Sequence, residues 1–178
     1  MSGDNTIGGI RRVDLQTRGP WRRRLQWLIG GQIAASKRAL AIQRRLAMPF
    51  EPMVMKLTRG RLTLSPTLPV VVLTSVGARS GERRDVPLAY FTDGDDVVLI
   101  ASNYGGSKHP AWYHNLRANP QCELHTGPRG GPFVAREVDG ADRDRLYELA
   151  RERLAGVFAL HEERSGDRKI PVMRLTPA

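Results

Sequence analysis

Two short stretches gather cations, hydroxyls and glycines in a pattern that suits an anion. In VVVLTSVGARSGERRDVPLAYF, an apolar β-branched run enters a turn containing Gly77, Arg79, Ser80, Gly81 and Arg84, and a second apolar run leaves it. A glycine-rich turn presents backbone N–H groups, and guanidinium groups add charge-assisted hydrogen bonds, so a turn of this kind between two strands can cradle a phosphate or a carboxylate. The second stretch, VVLIASNYGGSKHPAWYHNLRANP, leads from a strand into Ser102, Asn103, Tyr104, Gly105, Gly106, Ser107 and Lys108 before an aromatic segment. This is again a glycine loop, with a cation at its end. Two such loops on successive strands point to one phosphorylated ligand.

Other chemistries find little support. The basic turn lacks the Gly-Lys-Ser/Thr of a P-loop, and no GxGxxG dinucleotide fingerprint occurs. His109, His114, His125 and His161 show no metal-ligand spacing, so no metal is expected. No serine sits in a nucleophile-elbow pentapeptide, which leaves a hydrolytic triad without a starting point. The single cysteine, Cys122, excludes an internal disulfide, fits a reducing compartment and reads as a small buried hydrophobe. Trp112 and Tyr113 have two readings that stay open: anchors of their helix in the core, or a flat wall for a ring system.

The elements that must position these loops follow from the apolar pattern. With 178 residues, 40% of them hydrophobic, the chain supports one core and an appendage. Strands are expected at 70–75, 86–91, 97–102, 122–126, 133–138 and 170–175, with a tight hairpin at Asp93-Gly94-Asp95 and a long turn over 127–132. Helices are expected at 109–118 and 142–160, the second with Leu146, Leu149, Ala150 and Leu154 inward. About six antiparallel strands with few helices fit a small barrel.

The formal charge of +10 is unevenly placed. Asp4, Asp14 and Glu51 are the only acidic residues of 1–61, where 13 basic residues lie, whereas 15 of each sign balance over 62–178. Residues 1–19 lack periodicity and read as a poorly ordered leader. Over 20–50, Trp21, Leu25, Leu28, Ile29, Ile33, Ala39, Leu40 and Leu46 share one helical arc opposite Arg23, Lys37, Arg38, Arg44 and Arg45, a basic amphipathic arm interrupted at Gly30-Gly31 and stopped by Pro49 and Pro52. Two readings stay open for it: an apolar face packed on the core, or a helix lying on an anionic membrane, which its arginines and tryptophans suit. No groove-reading motif or aromatic platform supports nucleic acid. No run spans a bilayer, which gives a cytoplasmic protein, or one held peripherally on the inner face of the cell membrane. The oligomeric state is left between monomer and homodimer.

The motifs PMVMKLTRGR, PVVVLTSVGARSGERRDVPLAYF and VLIASNYGGSKHPAWYHNLRANP resemble those of the deazaflavin-dependent nitroreductases, actinobacterial oxidoreductases. The resemblance implies an α+β, mainly β fold: a six- or seven-stranded antiparallel split β-barrel of the FMN-binding type with flanking helices, here over 51–178. It implies coenzyme F-420, an 8-hydroxy-5-deazaflavin with an anionic phosphate and oligoglutamate tail. Ala78, Arg79, Ser80, Gly81, Arg84 and Lys108 match the tail contacts. Asp85, Val86, Pro87, Leu88, Ala101, Ser102, Asn103, Ala111, Trp112, Tyr113, His114 and Asn115 match the segments lining the ring. The implied activity is hydride transfer to an apolar acceptor, a quinone, nitro or enone compound, with Ser102, Tyr104 and Tyr113 as the hydroxyls placed to pass a proton. FMN in the same fold, and a non-catalytic membrane-associated carrier of the cofactor, are the alternatives. Relatives that activate nitroimidazoles place tyrosines on the C-terminal helix, where Leu154, Val157 and Leu160 stand here and Tyr147 lies earlier. The resemblance therefore favours a quinone or an unsaturated lipid over a nitro prodrug.

Overall fold

The computed structural model describes residues 5–15, 68–154, 158 and 167–178. The expected arm at 20–50, the end of the second expected helix with Val157 and Leu160, and His161 lie outside them. Eight strands are described: β1 (Thr6–Ile7), β2 (Ile10–Arg11), β3 (Val70–Val76), β4 (Arg83–Asp93), β5 (Asp96–Ile100), β6 (Gln121–Thr126), β7 (Arg129–Val138) and β8 (Val172–Pro177). Helix α1 (Ala111–Ala118) follows β5, and α2 (Gly140–Arg153) follows β7. The last six strands close into an antiparallel barrel in the order β3-β4-β5-β8-β7-β6, as the apolar alternation implied.

Register decides which side chains fill the barrel. Val71, Leu73 and Ser75 of β3 lie opposite Leu88, Val86 and Arg84 of β4, while Leu73 also lies opposite Leu124 of β6. Side chains on paired residues share a face, so these line the interior, continued by Tyr90, Leu99, Met173, Leu175, Phe133 and Ala135, all buried. On the outer face Phe91 and Val98 are nonetheless fully buried, and α2 packs along β8 with Leu146 and Ala150 inward.

The barrel has two unlike ends. At the lower end the chain reverses in two-residue turns, Gly94-Asp95 and Gly127-Pro128. The second corrects the long turn expected over 127–132. Gly130 and Gly131 are strand residues opposite His125 and Leu124, and a Cβ on Gly130 would fall 2.0 Å from the Leu124 carbonyl oxygen. Gly130 is a glycine because another backbone approaches there, not because the chain turns, whereas a Cβ on Gly131 would meet only the Gly8 carbonyl oxygen, at 3.8 Å.

Residues 5–15 are the larger correction. In place of a poorly ordered leader, β1 and β2 form a hairpin across the lower end, and Ile7, Ile10, Val13 and Leu15 join the main core. Thr92 holds Val13 at both ends of its peptide unit, its Oγ1 accepting from the Val13 N–H at 3.0 Å and its N–H donating to the Val13 carbonyl at 2.9 Å. Arg12 donates to the Gly94 carbonyl and to Asp95 at 2.8 and 2.6 Å, and the Tyr90 hydroxyl donates to the Arg11 carbonyl at 3.0 Å. A two-rung ladder is marginal by itself; burial against the barrel stabilises it.

A second tie joins α2 to the same end. Buried Arg174 bonds Asp93, Asp96 and Asp142, and Arg145 bonds Asp93 and Asp142. Hydrogen bonds from Arg145, then from Arg174, hold Asp93 and Asp142 below the ordinary value of 3.8, against the opposing effect of burial. Carboxyls with depressed folded-state pKa contribute stability that is present above the unfolded pKa and lost as pH falls through the folded one. The melting temperature should therefore drop as pH falls below 3.8, and less steeply in Arg145→Gln, whose carboxyls titrate nearer their ordinary value. Denaturant unfolding of Ile10→Ala should show a loss of about 2–5 kcal/mol, the cost of truncating a fully buried aliphatic side chain.

Candidate active site

The upper end carries the long connections. After β3 the turn at 77–82 closes on itself, with the Gly77 N–H donating to the Glu82 carbonyl and the Gly81 N–H to the Gly77 carbonyl, both at 2.8 Å. Gly81 sits at φ 70°, which glycine adopts without strain. The Ser80 hydroxyl accepts from the Glu82 N–H at 3.3 Å, and Ala78, Arg79 and Ser80 stand exposed at the apex. Asn115 of α1 staples this turn to the barrel: its Oδ1 accepts from the Ala78 N–H at 3.0 Å, and its Nδ2 donates to the Ser75 hydroxyl at 3.4 Å. The Asn115 side chain, on the segment whose resemblance implies a ring contact, thus holds the basic turn in place.

The cations divide by face. Arg79 has no ion-pair partner among the described residues, and neither does Lys108 on the second loop. Arg84, on the interior face opposite Ser75, pairs with Glu82, and both groups are exposed. Such a surface pair is worth about 0–1 kcal/mol, so a multiply charged anion can displace Glu82. Arg83 points to the other face of β4, where it pairs with Glu123 at 2.8 Å. Hydrogen bonds from Arg83 and then from His125 depress the Glu123 carboxyl.

The second loop begins where β5 ends. Ala101 and Ser102 are buried; Asn103, Tyr104 and Gly105 then take φ values of 49°, 55° and 77° in succession. Left-handed backbone is costly for residues with a Cβ. Local bonds offset part of that cost: the Gly105 N–H donates to the Ser102 carbonyl at 3.0 Å, the Gly106 N–H to the Asn103 carbonyl at 2.9 Å, and Asn103 Nδ2 to the Lys108 carbonyl at 2.9 Å. The rest comes from Arg168, ahead of β8, whose guanidinium donates to the carbonyls of Gly106, Ala101 and Ser102 at 2.9, 3.3 and 2.6 Å. Nothing local in the sequence marks Arg168, because every one of these acceptors is a backbone carbonyl distant in the chain.

Helix α1 caps the upper end. Trp112, Tyr113 and Leu116 pack into the core, so Trp112 and Tyr113 anchor the helix; Ala111 and His114 are the exposed members. The Tyr113 hydroxyl donates to the Glu137 carboxylate at 3.0 Å, and burial, then that hydrogen bond, raises its pKa. Its proton is thus already held by a carboxylate. Ser102 lies buried and Tyr104 half-buried at the left-handed turn. The run Asp85–Leu88 does not face one way: Val86 and Leu88 pack against the core, Asp85 accepts from the Thr74 hydroxyl at 2.6 Å on the opposite face, and buried Pro87 shares Asp85's side. Tyr147 is buried, its hydroxyl donating to the Phe158 carbonyl at 3.2 Å, and Leu154 is buried as well.

The family model described as F420H(2)-dependent quinone reductase matches residues 50–177. An F420H(2)-dependent quinone reductase of Mycobacterium tuberculosis is 36% identical over 123 residues, 67% of this chain and 82% of the relative. A solved F420-H2 dependent reductase, FDR-A, aligns at 36% identity and TM-score 0.54, covering 60% of this chain and 93% of its own. A second solved structure, described as a domain-swapped dimer, aligns at 32% identity and TM-score 0.56, covering 71% of this chain and 93% of its own.

Replacing Asn115 by Ala removes both bonds of the staple. The expected loss is about 1 kcal/mol of stability, together with faster hydrogen exchange at the Ala78 amide and little change at the Tyr113 amide.

Proposed function

The chain belongs to the family of F420H(2)-dependent quinone reductases, and on that premise we propose that its upper-end loops hold coenzyme F-420 for hydride transfer to an apolar acceptor, a quinone or a comparable enone or nitro compound. The observation that carries this reading is the pair of glycine loops bearing Arg79 and Lys108, cations without ion-pair partners among the described residues. That donor set fits a phosphate and a carboxylate tail. Bound in its reduced form, the cofactor supplies a hydride. The chain supplies the rest: Arg79, Arg84 and Lys108 bind the anionic tail, exposed amides of Arg79 and Ser80 add hydrogen bonds, and Asn115 holds that turn in place. Ser102 and Tyr104 are the hydroxyls on the second loop suited to pass a proton to the reduced acceptor. Buried Tyr147 and Leu154 give no phenol for a nitroimidazole, which supports the quinone class.

Two finer features belong to the same reading. A homodimer is favoured by the likeness to a domain-swapped dimer. The basic amphipathic pattern of 20–50 supports reversible attachment to an anionic membrane, where lipophilic quinones reside.

Titration with oxidised coenzyme F-420, followed by its fluorescence, tests the assignment. Arg79→Ala and Lys108→Ala should each weaken binding by about 1.5–3 kcal/mol, more at low salt than at high, while Arg83→Ala, on the opposite face, should bind as the unmodified protein does. Tighter binding of FMN would favour the flavin alternative, and cofactor binding without quinone turnover would favour a carrier. For the membrane, replacing Arg23, Lys37, Arg38, Arg44 and Arg45 by Gln should reduce affinity for anionic vesicles by about 1 kcal/mol per charge. Substitution is the suitable test, because deleting the whole N-terminus would remove the hairpin at residues 5–15 from the core.

A further inference from the structure

One guanidinium in the upper end does more than hold backbone. Besides its three carbonyl acceptors, Arg168 Nη1 lies 2.9 Å from His109 Nδ1. An arginine has only donors and stays protonated, so the Nδ1 of His109 must be the acceptor. The neutral ring then carries its proton on Nε2. His109 is half-buried at the junction of the second loop and α1, its ring 5.0 Å from that of Tyr113 and 6.0 Å from that of His114. Nε2 has no hydrogen-bond partner among the described residues.

We propose that Arg168 is a positioning residue of the hydride-transfer site, which locks the second loop in its left-handed form and fixes His109 as a hydrogen-bond donor through Nε2 toward a carbonyl oxygen of the bound ring or of the quinone. The inference rests on the proposed function for the identity of that carbonyl. Arg168 and His109 thereby join Ser102 and Tyr104 at the second loop.

The arrangement combines geometry and charge. The Ala101 N–H donates to the Pro171 carbonyl at 2.9 Å, so the segment before β8 and the start of the loop already lie side by side. Arg168 then gathers the carbonyls of Ala101, Ser102 and Gly106 to one point, which the left-handed turn at Asn103 and Tyr104 makes possible. Among the described residues, the groups facing His109 are Arg168, His114 and Arg117, which disfavour its protonation, and Glu137, which favours it; burial is the largest influence and also disfavours it. The balance lowers the imidazole pKa, keeping the neutral donor form at physiological pH. A neutral donor polarises a carbonyl without giving up its proton, so the proton taken up by the reduced acceptor still comes from a hydroxyl or from solvent.

The test begins without cofactor. Nitrogen-detected NMR of the full chain should show His109 as a single Nε2–H tautomer, and in Arg168→Gln a tautomer mixture that protonates at higher pH. With coenzyme F-420 and menadione, Arg168→Gln should lower kcat by about 10²-fold, the effect of a displaced reacting geometry, with Arg168→Lys intermediate. His109→Phe separates the two carbonyls: weaker cofactor binding identifies the ring, and a raised KM for menadione at unchanged cofactor affinity identifies the quinone. Unchanged tautomer and unchanged kcat in Arg168→Gln would overturn the proposal, as would unchanged cofactor affinity, KM and kcat in His109→Phe. Should Arg168→Gln fail to fold, His109→Phe, which breaks one of the four bonds, decides by the same readouts. If the unmodified protein binds no coenzyme F-420, the proposed function fails while the NMR result judges the latch separately.

Discussion

Pairing of β3 with β6 is the contact on which the rest of the architecture depends. Three register pairs, Val72 with His125, Leu73 with Leu124 and Thr74 with Glu123, join the two ends of the sheet β3-β4-β5-β8-β7-β6 into a closed barrel. Closure removes the sheet edges and encloses a core that side chains fill. It also decides what stands beside what: β3 ends in the basic turn, β6 begins just after α1, and joining them brings Asn115 to the turn it staples.

Closure leaves two ends with different chemistry. The lower end is sealed by tight turns and by the hairpin at residues 5–15, and its buried guanidinium, Arg174, is matched by three aspartates. The upper end retains long loops, left-handed backbone and exposed cations. Strain of that kind is stable only where surrounding contacts over-determine it, and the barrel provides those contacts.

Arg174, which is buried, and Arg168, which is half-buried, illustrate the division. Arg174 gives its hydrogen bonds to carboxylates and ties elements together; its charge is spent on stability at the end away from the site. Arg168 gives its bonds to carbonyls and an imidazole, and desolvation lowers its pKa. A cation solvated by neutral acceptors orients dipoles around it, which is the arrangement that sets a histidine tautomer.

What the sequence determined by itself was what lies within a short window: the β-branched alternation that places six strands, the tight hairpin at Asp93-Gly94-Asp95, the cation-bearing glycine loops, and the opposite faces of Arg83 and Arg84, since a pleat has period two. What required the tertiary structure depended on partners far along the chain. Ile7, Ile10, Val13 and Leu15 have no local periodicity and gain order only by burial under the barrel. Gly130 and Gly131 look like turn residues, yet both lie in β7, and Gly130 admits the backbone of the neighbouring strand. That Trp112 and Tyr113 anchor α1 in the core becomes visible only once the helix is docked. Arg168 resembles any surface arginine until folding brings three carbonyls and His109 within its reach, because backbone acceptors carry no side-chain signature.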